Sequence, residues 1–250
     1  MIEKVEGIIL TELDYGETSK ILNVLTKEYG IIGLISKGCR SVKSPLCSLS
    51  QTFVYGYFYI YYKKDKLSIV KTIDLINCYP NIRKDILKIS YASLILDLAM
   101  QVYRESKQSE IFFDVVNSFE KIEQNFDPSV ITLILELRFL EYLGVAPVID
   151  CCAVCQTTKD IKTLSLKRGG YVCKNCYDGE KIYQPKTIKM IRMFYYVDIK
   201  KITKISIQDE VKKEIRNFLD LYYDDYTGLY LKSKQFLNKI EKIVVTNINK

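Results

Sequence analysis

The sequence contains no histidine in its 250 residues. This absence excludes Ser–His and Cys–His nucleophilic pairs, histidine general bases and metal sites of the H-E-x-x-H type. The sequence also lacks a G-x-x-x-x-G-K-[ST] phosphate loop, because the glycines around Lys37 have the wrong spacing for one. A G-x-G-x-x-G dinucleotide fingerprint is absent as well. These absences lower the expectation of catalysis and favour a binding protein.

Long uninterrupted apolar runs are missing as well. The N-terminal residues MIEKVEG contain no apolar segment of the kind found in a signal peptide. The most apolar stretch, residues 130–145, is interrupted by Glu136, Arg138 and Glu141, whose charges a bilayer would penalise. We therefore expect a buried helix there, no membrane partner and a cytoplasmic protein.

Positive charge is present in excess, and it is unevenly distributed. The net charge is +7, and residues 151–250 carry 20 basic and 11 acidic side chains. Between Ser36 and Lys71, seven basic residues face one acidic residue, Asp65. Such clustering favours a polyanionic partner. A solvated lysine-rich surface is the alternative, and charge alone does not separate the two.

The pattern of apolar residues predicts an α+β chain. Five short runs rich in β-branched and aromatic residues, with turn signals between them, occupy residues 5–77 and favour a five-stranded OB-fold barrel, with an SH3-like barrel as the alternative. Beyond Pro80, apolar residues recur at helical spacing. The predicted organisation is a barrel in residues 1–80, a helical domain in two parts (81–150 and 181–250), and a cysteine module inserted at 151–180.

The cysteine module contains two C-x2-C pairs. Cys152 and Cys155 form the first pair, Cys173 and Cys176 form the second, and 17 residues separate the pairs. This spacing is typical of four-thiolate zinc sites, which are closed and structural. Between the pairs, a hairpin with a Gly169-Gly170 turn would bring the second pair beside the first. The sequence therefore predicts one structural zinc ion per chain.

Other interpretations of the cysteines are weaker. Two disulfides are not expected without a secretion signal, and a redox C-x-x-C pair would not need a second matched pair. Cys151 is a fifth candidate ligand, but the spacing favours Cys152. Cys39, Cys47 and Cys78 are scattered and are interpreted as ordinary side chains.

A basic segment follows the third predicted strand. Lys37, Arg40 and Lys43 lie among small residues, which would let the backbone approach a phosphodiester chain. We expect these three cations to contact DNA phosphates, with Lys20 nearby on the same barrel. Aromatic residues alternate from Phe53 to Tyr61 and could stack on bases, although a core face opposite a tyrosine-rich surface explains the same pattern.

Several of these segments resemble the RecO family of bacterial repair proteins. They occur in the family's order and span nearly the whole chain: Gly7-Ile-Ile-Leu10, Asp14-Tyr-Gly-Glu17, Lys20-Ile-Leu22, Thr26-Lys-Glu-Tyr-Gly30, Lys37-Gly-Cys-Arg40, Tyr91-Ala-Ser93, the cysteine pairs, and Leu231-Lys-Ser233 with Phe236-Leu237. One departure is Gln156, where the family ordinarily has glycine after the second cysteine.

The resemblance implies an OB-fold, a helical domain and an inserted zinc module. It also implies binding of single- and double-stranded DNA, strand annealing and partnership with RecR, with which such proteins help RecA to replace single-strand-binding protein on DNA. The acidic C-terminal tail of single-strand-binding protein is then a further expected partner. The expected setting is the bacterial cytoplasm, with association with the nucleoid during activity, and no enzymatic activity is expected.

Two other functions are compatible with the residues. A nuclease would need clustered carboxylates to hold Mg²⁺, and the adjacent acidic pairs in the helical, lysine-rich context are Asp209-Glu210 and Asp224-Asp225. An adaptor would use the basic surface to bind an acidic tail, which is also compatible with DNA binding.

Overall fold

The N-terminal strands form a closed five-stranded barrel. The computed structural model describes the backbone of residues 1–248, with side chains in the final helix described through residue 244. The strands follow the order β1-β2-β3-β5-β4, with β3 and β5 parallel and the other pairs antiparallel. Their bounds are β1 (Ile2–Tyr15), β2 (Ser19–Thr26), β3 (Gly30–Ser36), β4 (Tyr55–Tyr61) and β5 (Ser68–Asn77).

Strand β1 is long enough to pair with two different strands of the barrel. Its first residues, from Ile2, pair with β4, and its last residues, up to Tyr15, pair with β2. A register shift between Ile9 and Thr11 marks the irregularity in the second pairing. This arrangement closes the sheet on itself and confirms the predicted OB-fold barrel.

The barrel core follows from the two-residue period of its strands. Alternate side chains point inwards, and the long connection between β3 and β4 supplies further apolar groups. The buried cluster contains Val5, Ile9, Leu22, Val24, Leu34, Cys39, Leu46, Val54, Phe58, Ile60, Val70 and Ile73. Cys39 is therefore a side chain of the barrel core.

Seven helices and a small hairpin follow the barrel within the described residues. The helices are α1 (Pro80–Arg83), α2 (Ile86–Ser106), α3 (Ile111–Glu123), α4 (Pro128–Tyr142), α5 (Pro185–Tyr196), α6 (Asp209–Tyr226) and α7 (Lys232–Ile248). Strands β6 (Ile161–Ser165) and β7 (Gly170–Cys173) pair between α4 and α5. The predicted α+β class, with a cysteine module inserted among helices, is confirmed.

Local signals set the starts of two long helices. The Asp85 side chain accepts hydrogen bonds from the amides of Leu87 and Lys88, which caps α2. Asp127 caps α4 by accepting from the amide of Ser129, and Pro128 takes the first helical position. The Asp-Pro pair in the sequence therefore sets the start of α4.

The chain divides by its contacts into two compact units. One contains residues 1–124 with the segment from Leu231 onwards, and the other contains residues 125–230. Within the first unit, α7 packs on α2, where the Ser233 hydroxyl donates to Asp97 at 2.7 Å and the Tyr91 hydroxyl donates to Glu241. Helices α2, α3 and α7 thus group with the barrel, and α4–α6 group with the cysteine hairpin. The four-segment division remains a prediction from sequence.

Two apolar helices take core positions. Helix α2 has the length and composition of a membrane-crossing helix, with a window of mean hydropathy 1.3, but half of that window is buried inside the protein. Tyr103 of α2 packs against Gly30 at the start of β3. A β-carbon added to Gly30 would be only 1.6 Å from the Tyr103 hydroxyl oxygen, so α2 contacts the barrel directly. Helix α4 is buried on nearly all sides, as the sequence predicted for residues 130–145.

Candidate metal centre and nucleic-acid interface

The four paired cysteines converge at one point. The sulfur atoms of Cys152, Cys155, Cys173 and Cys176 all lie within 4.8 Å of one another, and those of Cys155 and Cys173 are 3.6 Å apart. Cys152 and Cys173 are buried, whereas Cys155 is exposed and Cys176 is half-buried. The structure thus brings the predicted ligand set together at the edge of its module, with one side open to solvent.

Backbone turns hold the first pair in place. The amide of Gln156 donates to the Cys152 carbonyl at 2.9 Å, and the amide of Cys152 donates to the Thr157 carbonyl at 2.8 Å. Gln156 has a positive φ of 61°, a left-handed conformation that favours glycine. This geometry gives a physical reason for the glycine that the RecO family ordinarily has there.

The hairpin carries the second pair to the first. Strands β6 and β7 pair antiparallel, and the turn between them contains Gly169 with a φ of 66°. Gly170 lies against Val148, where an added β-carbon would be only 2.2 Å from the carbonyl oxygen. The amide of Tyr171 donates to the same oxygen at 2.7 Å. The Gly169-Gly170 turn predicted from sequence therefore serves both the reversal of the chain and its close approach to residue 148.

The thiols differ strongly in acidity. Burial raises the pKa of Cys152, but the backbone amides of Cys155, Cys173 and Val154 outweigh it and bring that pKa down to about 6. The pKa of Cys176 is raised to about 12 because its thiol is hydrogen-bonded to the sulfurs of Cys155 and Cys173. Neighbouring thiolates repel one another unless a cation lies between them.

The arrangement fits a tetrahedral metal ion. A zinc ion with four sulfur ligands at about 2.3 Å has sulfur–sulfur edges of about 3.8 Å. The 3.6 Å separation of Cys155 and Cys173 is close to that edge, and the other separations stay below 4.8 Å. Four cysteines leave no open position for a substrate, so the site can hold a metal that stabilises the module. Among the residues that the structure describes, this is the one such cluster of metal-binding side chains.

The remaining cysteines lie outside the cluster. Cys151 is half-buried, although it adjoins Cys152 in sequence, and Cys47 and Cys78 are half-buried elsewhere. All eight cysteines are free thiols in the structure, which gives no support to the disulfide alternative.

The predicted DNA-contacting residues lie at one end of strands β2 and β3. Lys37 directly follows Ser36, the last residue of β3, and Ser36 pairs with Lys20 at the start of β2. Lys37 and Lys43 are exposed and have no ion-pair partner among the described residues. Their ammonium groups are free to meet phosphates.

Arg40 and Lys20 are engaged with the barrel itself. The Arg40 guanidinium forms an ion pair with Asp14 at 3.1 Å and donates to the Gly16 carbonyl at 3.2 Å, which ties the β3–β4 connection to the β1–β2 turn. Lys20 is on the core-facing side of β2 and forms an ion pair with Glu12 at 3.0 Å. Both residues stay predicted DNA contacts, but their intramolecular partners make Lys37 and Lys43 the better candidates.

The loop between β4 and β5 adds cations that were not singled out in advance. Lys63, Lys64 and Lys66 are exposed in this loop. Leu67, at its end, lies over Gly33, where an added β-carbon would be 2.6 Å from a Leu67 methyl group. Lysines therefore flank the β2–β3 face from the β4–β5 loop as well as from the end of β3. Knowledge that OB-folds bind oligonucleotides with this loop would have identified them from sequence.

The carboxylate pairs considered for a nuclease do not form a metal cluster with other side chains. Asp209 and Glu210 begin α6, where Asp209 forms an ion pair with Lys212 at 3.2 Å, and Asp224 and Asp225 are exposed near its end. Within the described part of the chain, no group of three carboxylates is close enough to hold a metal.

Comparison with known proteins matches both parts of the chain. Residues 1–79 match the family described as recombination protein O N terminal, and residues 83–235 match recombination protein O C terminal. Proteins named DNA repair protein RecO are similar over almost their whole length. That of Bacillus velezensis is 35% identical, with 97% of this chain and 96% of the relative covered. Those of Bacillus subtilis and Bacillus cytotoxicus are each 33% identical, with 96% and 100% of their lengths covered. The chain belongs to the RecO family of DNA repair proteins.

Proposed function

We propose that this protein is a recombination mediator of the RecO type. It binds single- and double-stranded DNA and anneals complementary strands. With RecR it helps to load RecA onto DNA that is coated with single-strand-binding protein. It acts in DNA repair and homologous recombination in the cytoplasm, associated with the nucleoid when active, and it performs no chemistry of its own.

One observation carries the DNA-binding part of this proposal. The β2–β3 face of the barrel has exposed lysines at both margins that form no ion pair within the described part of the chain: Lys37 and Lys43 beyond the end of β3, and Lys63, Lys64 and Lys66 in the β4–β5 loop. OB-folds bind oligonucleotides across this face and through such loops. Lysine ammonium groups neutralise phosphates and release condensed counterions, which favours binding without regard to base sequence.

The partner proteins are proposed from family membership. RecR and single-strand-binding protein would bind directly, and RecA would be affected indirectly. The acidic C-terminal tail of single-strand-binding protein suits a chain with a net charge of +7.

Zinc, held by Cys152, Cys155, Cys173 and Cys176, has a structural part in this proposal. A closed four-thiolate site supplies folding energy to a small module that has only a short hairpin of its own. The metal site would therefore stabilise the unit of residues 125–230 and would not act on DNA directly.

Titration of labelled oligonucleotides at several salt concentrations tests the proposal. We expect the full chain to bind single strands and duplexes with little dependence on sequence. Affinity should fall linearly on a double-logarithmic plot against salt, with a slope of about −0.7 for each phosphate contact on a single strand. Failure to bind either form at low salt would contradict the proposed function.

A further inference from the structure

A row of tyrosines lines the outward face of β4. Phe58 and Ile60 point into the barrel core, so Tyr57, Tyr59 and Tyr61 point outwards. We call these three the tyrosine ridge. Tyr57 and Tyr59 are half-buried, and Tyr61 is 44% exposed. Their hydroxyl groups have no hydrogen-bond partner among the described residues, so no hydrogen bond holds these rings in place.

The residue that precedes the ridge on the same face of β4 packs against α3. Tyr55, the preceding outward residue, is buried, and its ring centroid lies 6.3 Å from that of Phe112 in α3. Its hydroxyl donates to Glu6. Tyr55 is therefore a packing residue, whereas the ridge residues are more exposed. The aromatic alternation from Phe53 to Tyr61 thus combines a packing residue at Tyr55 with an accessible aromatic surface further along the strand.

A lysine lies over the ridge. The Lys4 ammonium is 3.8 Å from the centroid of the Tyr57 ring and 5.9 Å from that of Tyr59. Lys4 is exposed and has no carboxylate partner among the described residues. The cation–π contact places the charge beside the aromatic surface and leaves the ammonium accessible to an anion. An anionic ligand with flat aromatic groups would match both features.

The spacing of the ridge suits stacked bases. Alternate residues of a strand are separated by about 6.8 Å, which is about twice the 3.4 Å rise of successive nucleotides in a stacked strand. Aromatic side chains stack on bases with little dependence on sequence, because every base has a flat face. A duplex hides its base faces in its own stack, so a stacking surface distinguishes single strands from duplexes.

The ridge is continuous with the proposed DNA interface. Tyr61 ends β4, and the exposed Lys63, Lys64 and Lys66 follow in the β4–β5 loop. Lys71, in β5 beside the ridge, is also exposed. A strand bound by the loop lysines can therefore continue along β4, on a surface separate from the β2–β3 face.

We propose that the tyrosine ridge, with Lys4, is a base-stacking platform for single-stranded DNA. This inference rests on the proposed function, because it extends the DNA path of the same barrel. The loop lysines bind phosphates of either DNA form. The ridge adds contacts to bases and so gives a preference for single strands.

The test compares three probes with the full-length protein. The probes are a single-stranded oligothymidine, an abasic strand of the same length with the same phosphates, and a duplex. The test variant is Tyr57→Thr with Tyr59→Thr, since threonine keeps the preference for β-structure. The matched control is Tyr57→Phe with Tyr59→Phe, which retains the rings.

We expect the threonine variant to lose roughly tenfold or more in affinity for oligothymidine. Its affinities for the abasic strand and the duplex should be unchanged, and the phenylalanine variant should bind like the wild type. If the threonine variant unfolds, Tyr61→Thr at the exposed end of the ridge serves instead, with a severalfold loss expected on oligothymidine alone.

An equal loss on the base-bearing and abasic strands would overturn the inference, because it would indicate a general or electrostatic effect. Unchanged affinity for oligothymidine would also overturn it and would leave the ridge as a surface for another ligand, such as a peptide. If the wild-type protein bound none of the probes, the proposed function itself would fail, which is a distinguishable result.

Discussion

Replacing Cys155 by serine should separate the metal's contribution from ordinary packing. Cys155 is exposed, whereas Cys152 and Cys173 are buried, so its substitution removes a ligand without leaving a cavity or burying a new hydroxyl group. The matched control is Cys151→Ser, because Cys151 is half-buried in the same module but lies outside the sulfur cluster.

The expected magnitude follows from the closed site. Zinc binding to small structural sites contributes roughly 10–16 kcal/mol near neutral pH, so one ligand in four accounts for roughly 3 kcal/mol. We expect Cys155→Ser to lower the zinc content well below one per chain and to destabilise the cysteine module by about that amount. Cys151→Ser should keep its zinc and its stability.

Elemental analysis and hydrogen exchange provide the assay. Amides in residues 148–176, including those bonded across the Val148–Tyr171 contact, should lose protection in Cys155→Ser. Amides of the barrel core should keep theirs. If the variant retained one zinc per chain and full protection, or if the wild-type protein purified without added metal contained none, the four-cysteine assignment would be wrong.

Three further predictions concern substitutions in the two units. Gly170→Ala places a carbon 2.2 Å from a backbone oxygen and should lower the free energy of unfolding of its unit by roughly 2–3 kcal/mol in denaturant. The control Gly144→Ala, at a φ of 72° with open space around it, should lower it by only about 1 kcal/mol. Equal losses in the two variants would contradict the close approach at Gly170. Gln156→Gly relieves a left-handed φ of 61° and should stabilise the cysteine module by up to about 1 kcal/mol, and a loss of stability would show that the side chain matters more than the backbone. The double substitution Lys37→Ala with Lys43→Ala should flatten the salt dependence of single-strand binding by about 1.4 units of slope without affecting the fold, and an unchanged slope would move the phosphate contacts elsewhere.

Much of the barrel could be predicted because its strands are short and bounded by turn residues. The exception is β1, whose apolar core at Ile8–Leu10 indicates only a fraction of its 14 residues. Its ends carry Glu3, Lys4, Glu12 and other charged residues, which are half-buried or exposed and therefore do not extend the apolar run. The parallel pairing of β3 with β5 depends on closure of the sheet, which no local pattern reports.

The helices were predictable as elements but not in their grouping. Helix α7 packs on α2 through Ser233 and Asp97, residues that are 136 positions apart, and sequence periodicity carries no signal for such a contact. The RecO-like segments containing Tyr91 and Ser233 are explained by this packing, since Tyr91 bonds to Glu241 on the same helix pair.

The sequence alone predicted the residues of the metal site more completely than those of the nucleic-acid interface. Spacing was enough to select four cysteines that converge within 4.8 Å, because two C-x2-C turns joined by a hairpin leave few other arrangements. For the basic residues, spacing does not reveal which cations are already paired. The ion pairs of Lys20 with Glu12 and of Arg40 with Asp14 depend on the fold of the β1–β2 hairpin.

The most direct test of the proposed function measures how fast the purified protein anneals complementary oligonucleotides. Fluorescence reports the annealing rate, which is compared with and without ATP. We expect the protein to accelerate annealing at a rate that does not depend on nucleotide, because the sequence contains no phosphate-binding loop. Annealing no faster than in buffer alone, or a strict requirement for ATP, would contradict the account of this chain as a non-enzymatic recombination mediator.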